Sequence, residues 1–404
     1  MSQAYKDMMA HRKQTIALGR IHGLLSWDQE VMMPKTGAEN RAEQAGALTA
    51  VLHDRRTDPR LGDWLDAAEV SADGPAEAAN IRLIRRDYDR ARKIPKRLAE
   101  ESTRLCSKAQ HIWAEARANS AFADFAPVLA QVIDLVREQA ACLQDGGTLY
   151  DALIDDYEPG TTEAEIADTF DRLRAGLTDL RARITETGRQ PSALQGDFPE
   201  DAQMTLARQM AGAFGYDFAS GRLDLSVHPF SSGTRGDSRI TTRVDPANPL
   251  DCLYSTIHET GHALYEQGLD PDLDWQPAGK SVSMGVHESQ SRFCENQVGR
   301  SLPFVEFLFP HMKAAFSGMG VETAHDLYAA INRVVPGFIR TEADEVHYNL
   351  HIMMRFDLER ALISGDLQVA DLEATWNDRF KADFGVAVPY AARGVSQDVH
   401  WSCG

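Results

Sequence analysis

The sequence is short of basic residues, and this shortage limits the partners that it can bind. Among its 404 residues, 42 are Lys or Arg and 60 are Asp or Glu, which gives a formal net charge of −18 at pH 7. A surface of this charge repels the phosphate backbone of nucleic acids and the headgroups of anionic membranes. We therefore expect neither nucleic acid nor a membrane among the partners of this protein.

Cysteine is also scarce, and long apolar runs are absent. No stretch approaches the roughly 20 apolar residues that a membrane-spanning helix needs. The N-terminal segment MSQAYKDMMAHRKQ lacks the apolar core of a secretion signal. The cysteines form no C-x-x-C pair, which argues against a disulfide scaffold and against a cysteine-ligated zinc site. These absences predict a cytoplasmic protein with reduced thiols. The five cysteines are Cys106, Cys142, Cys252, Cys294 and Cys403.

Helical periodicity is the dominant pattern that is present. Apolar residues recur at three- or four-residue steps over 80–92 and 122–143, with polar or charged residues between them. A third helix is predicted from the capping run at 161–165, with its acidic first turn, to about Ile184. Core packing is the usual explanation of such apolar stripes. These patterns predict a mainly α protein.

One segment of the chain changes to a period of two. Apolar residues alternate with polar ones over 223–227 and again over 240–244, with a Ser- and Gly-rich stretch between the two runs. This pattern predicts two short strands joined by a loop. Pro and Gly cluster at 189–199 and 268–279, and we interpret these clusters as loops inside one body and not as domain linkers. A single domain is therefore expected.

The strongest functional signal is the H-E-x-x-H motif from His258 to His262. In a helix, positions i and i+4 lie on one face, so the two imidazoles can reach one metal ion. Glu259 is close enough to hold an attacking water without being a ligand itself. The motif alone is moderate support, because a pattern with three constrained positions also arises by chance. The alternative is a pair of helical histidines beside a solvated glutamate.

A catalytic zinc site usually has three protein ligands and one open position, so a third ligand must come from elsewhere in the chain. The best candidate is Glu288, which follows His262 by 26 residues, a gap that suits a helix, a loop and a returning helix. His287 is the competing ligand, and a surface ion pair between Glu288 and Arg292 is the alternative without a metal. Two histidines and one glutamate would leave a bound Zn²⁺ with one net positive charge, enough to acidify a water to near neutral pH.

Several further motifs follow one another along the chain. They are LLSWDQEVMMPKTGAENRAEQ near the N-terminus, His228-Pro229-Phe230, Asp237-Ser238-Arg239-Ile240-Thr241, HESQSRFCENQVGR from His287 to Arg300, Ile339-Arg340-Thr341-Glu342-Ala343-Asp344 and Gly394-Val395-Ser396-Gln397-Asp398-Val399-His400-Trp401. One such block is weak support, but the blocks in this order, together with the H-E-x-x-H motif, are very specific. The chain resembles the thermostable carboxypeptidase Taq-type zinc metallocarboxypeptidases over essentially its whole length.

The resemblance implies a mainly α fold, with a large helical zincin-like body, a deep groove and a small β-sheet beside the metal-binding helix. It implies one catalytic domain over 1–404 that removes single residues from peptide C-termini with broad specificity. It also implies bound Zn²⁺, with Co²⁺ as a possible substitute, and a homodimer. Members of the family continue past the last motif into a further helical segment, and this chain, which ends at Gly404, is expected to lack that segment.

The resemblance also implies residues that bind the substrate. Arg340 matches the family's carboxylate-binding arginine, and a guanidinium can bind the terminal carboxylate of a peptide through two hydrogen bonds. The alternative is a surface salt bridge with Glu342, Asp344 or Glu345. An extended peptide could add as a strand along 223–227, with six residues lining its approach, although strand and turn formation would explain the same residues. They are His228, Pro229, Phe230, Asp237, Arg239 and Thr241.

The last motif contributes three more candidates near the end of the chain. Gln397, Asp398 and His400 could close the groove or donate to the tetrahedral oxyanion of the reaction. The alternative is a structural role, which is the more common one for a lone histidine late in a chain.

Catalysis at such a site needs a base as well as a metal. Glu259 is expected to take the proton from the attacking water and to hand it later to the leaving amine. Two other functions remain open at this point: an aminopeptidase or endopeptidase with a similar third ligand, and an inactive, truncated helical homologue. An aminopeptidase needs an acidic pocket for the substrate amine, and the sequence has no short G-x-M-E-N block of that kind.

Overall fold

The computed structural model describes residues 1–340 and 343–404, and within them the chain is mainly helical, which confirms the predicted fold class. No helix in these ranges combines the length and the apolar character that crossing a membrane would require. The α-helices are α1 (Gln3–Val31), α2 (Ala38–Arg56), α3 (Pro59–Glu69), α4 (Pro75–Lys93), α5 (Lys96–Ala118), α6 (Phe122–Leu143), α7 (Leu149–Ile154), α8 (Glu163–Glu186), α9 (Glu200–Ala213), α10 (Pro249–Gln267), α11 (Met284–Arg292), α12 (Leu302–Ala315), α13 (Ala324–Ile331), α14 (Glu345–Ser364) and α15 (Leu372–Phe384). The strands are β1 (Gly221–Leu225), β2 (Ser231–Thr234) and β3 (Asp237–Thr242).

The chain divides into two compact units, and each unit is built from two separate stretches of sequence. Unit 1 comprises Met1–Arg92 and Ser192–Ile331, and unit 2 comprises Lys93–Pro191 and Asn332–Gly404. Unit 1 holds the sheet and the H-E-x-x-H helix, whereas unit 2 holds the last two sequence motifs. The single catalytic domain over the whole chain stays a prediction.

The principal core of unit 1 surrounds α10. The helix begins where Pro249 occupies the first turn and the Asn248 side chain accepts a hydrogen bond from the Leu250 amide, two features that favour a helix start. Its apolar stripe, which includes Ile257, is buried against α9 and α12. This packing holds one side of α10 rigidly and leaves the side with the motif histidines for the site.

The small sheet of unit 1 has the strand order β1-β3-β2. β1 runs parallel to β3, with Leu223 paired with Ile240, whereas β2 runs antiparallel to β3. The sequence predicted two strands joined by a loop, and the predicted loop in fact contains β2. The prediction missed this strand because none of its four residues, SSGT, is buried, so it carries no alternation of apolar and polar residues.

The core of unit 2 packs α5 and α6 with α14 and α15. Large apolar side chains such as Phe125, Leu129 and Trp376 are completely or almost completely buried there. The predicted helix over 122–143 coincides with α6, and the predicted cap near residue 162 is a capping box at the start of α8. Local sequence signals therefore located these helices correctly.

Candidate metal centre

The two motif histidines lie one helical turn apart on α10 in unit 1. The centroids of the His258 and His262 rings are 5.0 Å apart, and both side chains are largely shielded from solvent. Between them, Gly261 lies against α11: a Cβ atom at this position would be 2.5 Å from Ser291 Cα and 2.6 Å from the Gln290 carbonyl oxygen. Only a residue without a side chain permits this approach, which brings the residues of α11 up to the histidines.

Glu288 of α11 completes a cluster with the two histidines. Its Oε2 lies 3.1 Å from His262 Nε2 and 3.7 Å from His258 Nε2, and one donor atom from each of the three residues lies within 4.8 Å of the other two. Ligands of a tetrahedral zinc ion at about 2.1 Å from the metal are about 3.4 Å apart. The spacing and the chemistry of these donors fit a divalent metal ion.

The second carboxylate oxygen of Glu288 contacts Arg292. Nε of Arg292 donates to Glu288 Oε1 at 3.2 Å, so the ion pair that the sequence offered as an alternative is present alongside the histidine contacts. Burial alone would raise the pKa of Glu288. The hydrogen bond from His262 and the positive charges of His258 and Arg292 outweigh burial and lower the pKa to about 2. Glu288 is thus held as a carboxylate, the form that binds metals.

Glu295 is a part of the centre to which sequence reasoning gave no role. It lies in a π-helical turn at Phe293–Val298, directly after α11, and its Oε2 is 2.9 Å from His258 Nδ1. Burial would raise its pKa, but the hydrogen bond with His258 and the charge of Arg292 lower the pKa below its usual value. For His258, burial would lower the pKa, and the bond to Glu295 raises it. The sequence contained a signal that could have predicted this role for Glu295. Metal-binding histidines usually donate to a carboxylate, and Glu295 follows Glu288 by seven residues, which is two helical turns.

Glu259 has a different environment from the other carboxyl groups of the centre. It is only 6% exposed, and in the described part of the chain its side chain has no hydrogen-bond partner. Burial raises its pKa to about 7; the neighbouring His258 opposes this rise, whereas Glu288 and Glu295 add to it. A buried carboxyl group of this kind can accept and release a proton near neutral pH.

His287, the competing third ligand, lies behind His262. Its Nδ1 is 2.6 Å from His262 Nδ1, and its Nε2 is 3.0 Å from Glu266 Oε1. One ring nitrogen of His287 therefore faces His262 Nδ1 and the other faces Glu266, so neither contacts an Nε2 atom of the two motif histidines. Of the two candidates, the structure places Glu288 at the Nε2 atoms.

The sheet residues suggested for substrate binding make contacts among themselves. The Thr241 hydroxyl is buried and accepts hydrogen bonds from the Phe230 amide and the Ser226 hydroxyl, both at 2.8 Å. Arg239 donates twice to Asp237, and its guanidinium lies 4.2 Å from the centre of the Trp27 ring. His228 is exposed and Pro229 is half-buried, both between β1 and β2. These contacts tie Phe230, Asp237, Arg239 and Thr241 into the sheet, and β1 is one of its two edges.

Arg340 lies in unit 2 together with the last motif. Its backbone amide donates to Gln397 Oε1 at 3.0 Å, its Nη1 donates to Tyr348 Oη at 3.3 Å, and its Nε is 3.6 Å from Asp398 Oδ1. Among the described residues, Nη2 has no hydrogen-bond partner. Tyr348 and Asp398 therefore orient the guanidinium, and among the described residues Nη2 keeps its donors.

The sequence had suggested a salt bridge between Arg340 and a nearby acidic residue, and the structure gives Asp344 other partners. Thr341 and Glu342 lie outside the described residues. Asp344 caps α14, accepting from the Val346 and His347 amides, and its other oxygen is 2.7 Å from His347 Nδ1. Asp344 is thus the N-cap residue of α14.

Gln397 and Asp398 are engaged by the protein itself. Nε2 of Gln397 donates to the carbonyl oxygens of Phe338 and Gly394, and Asp398 Oδ2 accepts from Arg355 Nε at 2.6 Å. A carboxylate flanked by two guanidinium groups accepts hydrogen bonds and does not donate them, so Asp398 is suited to orienting Arg340 and not to stabilising an oxyanion. His400 is exposed near the end of the chain.

Comparisons with known proteins agree on one family. Residues 7–404 match the family model described as carboxypeptidase Taq (M32) metallopeptidase. Thermostable carboxypeptidase 1 of Thermus thermophilus is 43% identical over 417 residues, which cover 99% of this chain and 82% of that protein. The solved M32 carboxypeptidase from Deinococcus radiodurans R1 has a TM-score of 0.96 at 37% identity, covering 100% of this chain and 82% of its own. Trypanosoma cruzi metallocarboxypeptidase 1 has a TM-score of 0.96 at 35% identity, covering 99% and 82%.

Proposed function

The chain belongs to the carboxypeptidase Taq (M32) metallopeptidase family, and from this membership we propose that it releases single residues from peptide C-termini with a Zn²⁺ ion held by His258, His262 and Glu288. The predicted family and the predicted function of metallocarboxypeptidase are confirmed. The observation that carries the assignment of these residues is the convergence of three donor atoms within 4.8 Å.

Zinc is the proposed ion because of the donor set. Two imidazoles and one carboxylate are ligands that Zn²⁺ favours, whereas Mg²⁺ and Ca²⁺ prefer oxygen donors throughout. Co²⁺ accepts the same donors and is the proposed substitute. When bound, an ion of this kind polarises the carbonyl group of the peptide and acidifies a water molecule.

Glu259 is the proposed general base. On one of its carboxylate oxygens it takes the proton from the attacking water, and it then delivers that proton to the nitrogen of the leaving amine. Two features support this role: the side chain lies beside His258 on α10, and it makes no hydrogen bond within the described residues that would have to be broken first.

Arg340 is the proposed binding group for the C-terminal carboxylate of the substrate. Asp398 and Gln397 orient this residue, and the donor at Nη2 is available for a carboxylate oxygen. The other residues implied by the resemblance are proposed to line the path of the peptide. They are His228, Pro229, Phe230, Asp237, Arg239 and Thr241 beside the β1 edge, and Gln397, Asp398 and His400 near the end of the chain.

The test is a time course on two peptides of identical sequence, one with a free C-terminus and one amidated. The zinc-loaded protein is expected to shorten the free peptide stepwise, one residue at a time from the C-terminus, and to leave the amidated peptide nearly intact. Equal cleavage of both peptides would contradict the role of the terminal carboxylate. Fragments from internal cleavage would support an endopeptidase, loss of N-terminal residues an aminopeptidase, and no cleavage after zinc or cobalt is added an inactive homologue.

Three further properties are proposed, the first two from the family resemblance and the third from the composition of the sequence. They are a deep groove for the peptide, assembly as a homodimer and a cytoplasmic location. The described cysteines are all free thiols, which is compatible with a reducing compartment. Sedimentation velocity at several protein concentrations tests the dimer: a single species of twice the 44.7 kDa chain mass is expected.

A further inference from the structure

The Nδ1 atoms of the two motif histidines face different partners, a carboxylate for His258 and a second imidazole for His262. His258 Nδ1 is 2.9 Å from Glu295, but the Nδ1 of His262 faces the ring of His287 at 2.6 Å. A metal-binding imidazole usually donates its second N–H to an acceptor, which sets the tautomer and the orientation of the ring. The two ligands of the same turn are therefore supported in two different ways.

We propose that His287 and Glu266 form a positioning relay that holds His262 as a metal ligand. This inference rests on the proposed function, and it assigns a role to two residues that are neither ligands nor the base. The relay runs from Glu266 Oε1 to His287 Nε2, over 3.0 Å, and from His287 Nδ1 to His262 Nδ1, over 2.6 Å. All three side chains are about four-fifths shielded from solvent.

The direction of the hydrogen bonds follows from the chemistry of the last acceptor. A Glu266 carboxylate can only accept, so His287 Nε2 carries the proton and donates it. In a neutral imidazole the other nitrogen then has a lone pair, and His287 Nδ1 accepts from the N–H at His262 Nδ1. This leaves a lone pair on His262 Nε2, the atom that lies 3.1 Å from Glu288. The opposite direction would put a proton on Nε2 and prevent it from binding a metal.

The surrounding structure holds the relay in place. The Tyr265 ring stacks on His287 with centroids 4.9 Å apart, and the Tyr265 hydroxyl accepts a hydrogen bond from the Val282 amide at 3.4 Å, just before α11. Glu266 is one turn beyond His262 on α10, so the His287 ring from α11 fits between two residues of one helix face. The arrangement is thus built by two helices and not by a mobile loop.

The decisive variants are His287→Phe and His287→Asn. Phenylalanine keeps the ring and its stacking on Tyr265 but removes the acceptor, whereas asparagine can place an oxygen close to the position of Nδ1. We expect His287→Phe to weaken Zn²⁺ binding by about 10- to 100-fold and His287→Asn by much less. His325→Phe, at an exposed histidine on α13, is the matched control and should bind zinc like the wild type.

Three measurements decide the outcome. Zinc affinity is measured by competition with a chromophoric chelator, and the absorption spectrum of the Co²⁺-loaded protein reports the ligand geometry. The melting temperature of the metal-free protein shows whether each variant folds. If His287→Phe fails to fold, Glu266→Ala takes its place, with the same weakening expected.

The relay would be refuted by wild-type zinc affinity and an unchanged cobalt spectrum in His287→Phe. It would also be refuted by an equal loss in His287→Asn and His287→Phe, which would make the effect one of packing. Both outcomes leave the wild-type activity on free and amidated peptides intact, so they are distinguishable from failure of the proposed function. A wild-type protein that binds no zinc would overturn the relay and the proposed function together.

Discussion

At the scale of single residues, Glu259 and Glu288 show how one site gives two carboxyl groups very different pKa values. Glu259 is buried without a cation in direct contact, and its pKa rises to about 7. Glu288 meets His262 and Arg292, and its pKa falls to about 2. Environments that push two pKa values apart usually separate the roles of two carboxyl groups, here those of the proposed proton carrier Glu259 and the proposed metal ligand Glu288.

Replacing Glu259 with glutamine tests the base. Glutamine has nearly the same shape but cannot take a proton, so kcat should fall by about 10³-fold while KM changes little. Zinc stoichiometry, measured by metal analysis of the purified variant, should equal that of the wild type because Glu259 is not a ligand. A variant with more than a tenth of the wild-type kcat would remove Glu259 from the mechanism.

Replacing Arg340 with glutamine tests whether this residue binds the C-terminal carboxylate of the substrate. The loss of a charged, paired donor should lower kcat/KM for a free-carboxylate peptide by about 100-fold, and the preference for free over amidated peptides should largely vanish. Arg183→Gln, at an exposed arginine on α8 in the same unit, is the control and should keep both properties. An unchanged preference in Arg340→Gln would assign the carboxylate to another residue.

At the scale of elements, the centre depends on how closely α10 and α11 pack. The spacing of the candidate ligands His258 and His262 follows from their helix, but Glu288 can approach them only if α11 passes within contact of the backbone at Gly261. The π-helical turn after α11 belongs to the same arrangement, since it carries Glu295 to His258. Such turns are frequent at functional sites.

A methyl group at Gly261 should separate these helices. The added Cβ would meet backbone atoms of α11 at 2.5–2.6 Å, which side-chain rotation cannot relieve. We expect Gly261→Ala to destabilise the metal-free protein by about 1–3 kcal/mol and to weaken zinc binding at the same time.

The control for this substitution is Gly46→Ala on α2. The Cβ there would meet nothing within 4 Å, so the same chemical change should leave stability unchanged or raise it by up to about 1 kcal/mol. Urea denaturation and chelator competition measure the two effects. Equal behaviour of the two variants would contradict the close approach.

At the scale of the whole molecule, each unit has its own core and its own buried polar network. In unit 2, His351 lies inside the core, where its Nε2 donates to the Gly337 carbonyl oxygen at 3.1 Å and its Nδ1 accepts from Arg355. Burial, followed by the positive charge of Arg355, lowers the pKa of His351 to about 3. The folded protein therefore holds this histidine neutral well below the pH at which an unfolded chain would protonate it.

The pH dependence of stability follows with a definite sign. Between pH 6.5 and pH 3 the unfolded chain binds a proton at His351 and the folded chain does not. The contribution of this histidine to the free energy of unfolding is therefore complete above pH 6.5 and is lost as the pH falls. Between pH 7.5 and pH 5, protonation of this histidine in the unfolded chain should lower the free energy of unfolding of the wild type by about 2 kcal/mol.

His351→Gln isolates this contribution, because glutamine can replace both hydrogen bonds and does not titrate. Its free energy of unfolding should fall less between pH 7.5 and pH 5 than that of the wild type, by about 2 kcal/mol. Exposed His325→Gln is the control, and its pH dependence should match the wild type. Parallel curves for wild type and His351→Gln, from denaturant titrations at each pH, would contradict a buried neutral histidine.

The parts of this protein that depend on local geometry could be predicted from the amino-acid sequence. Helical spacing is a property of a short stretch of chain, so the pair His258 and His262, the helix that carries them and the boundaries of α6 could be predicted from their own residues. The order of the motifs determined the family. β2 was missed because no apolar residue marks it.

The contacts between distant segments became apparent only in the three-dimensional structure. His287 and Glu288 are neighbours in sequence, and the way α11 crosses α10 puts Glu288 at the ligand nitrogens and His287 behind His262. The same crossing brings Glu295 to His258. Such contacts depend on the packing of many side chains over a long stretch of chain, and no local pattern of residues encodes them.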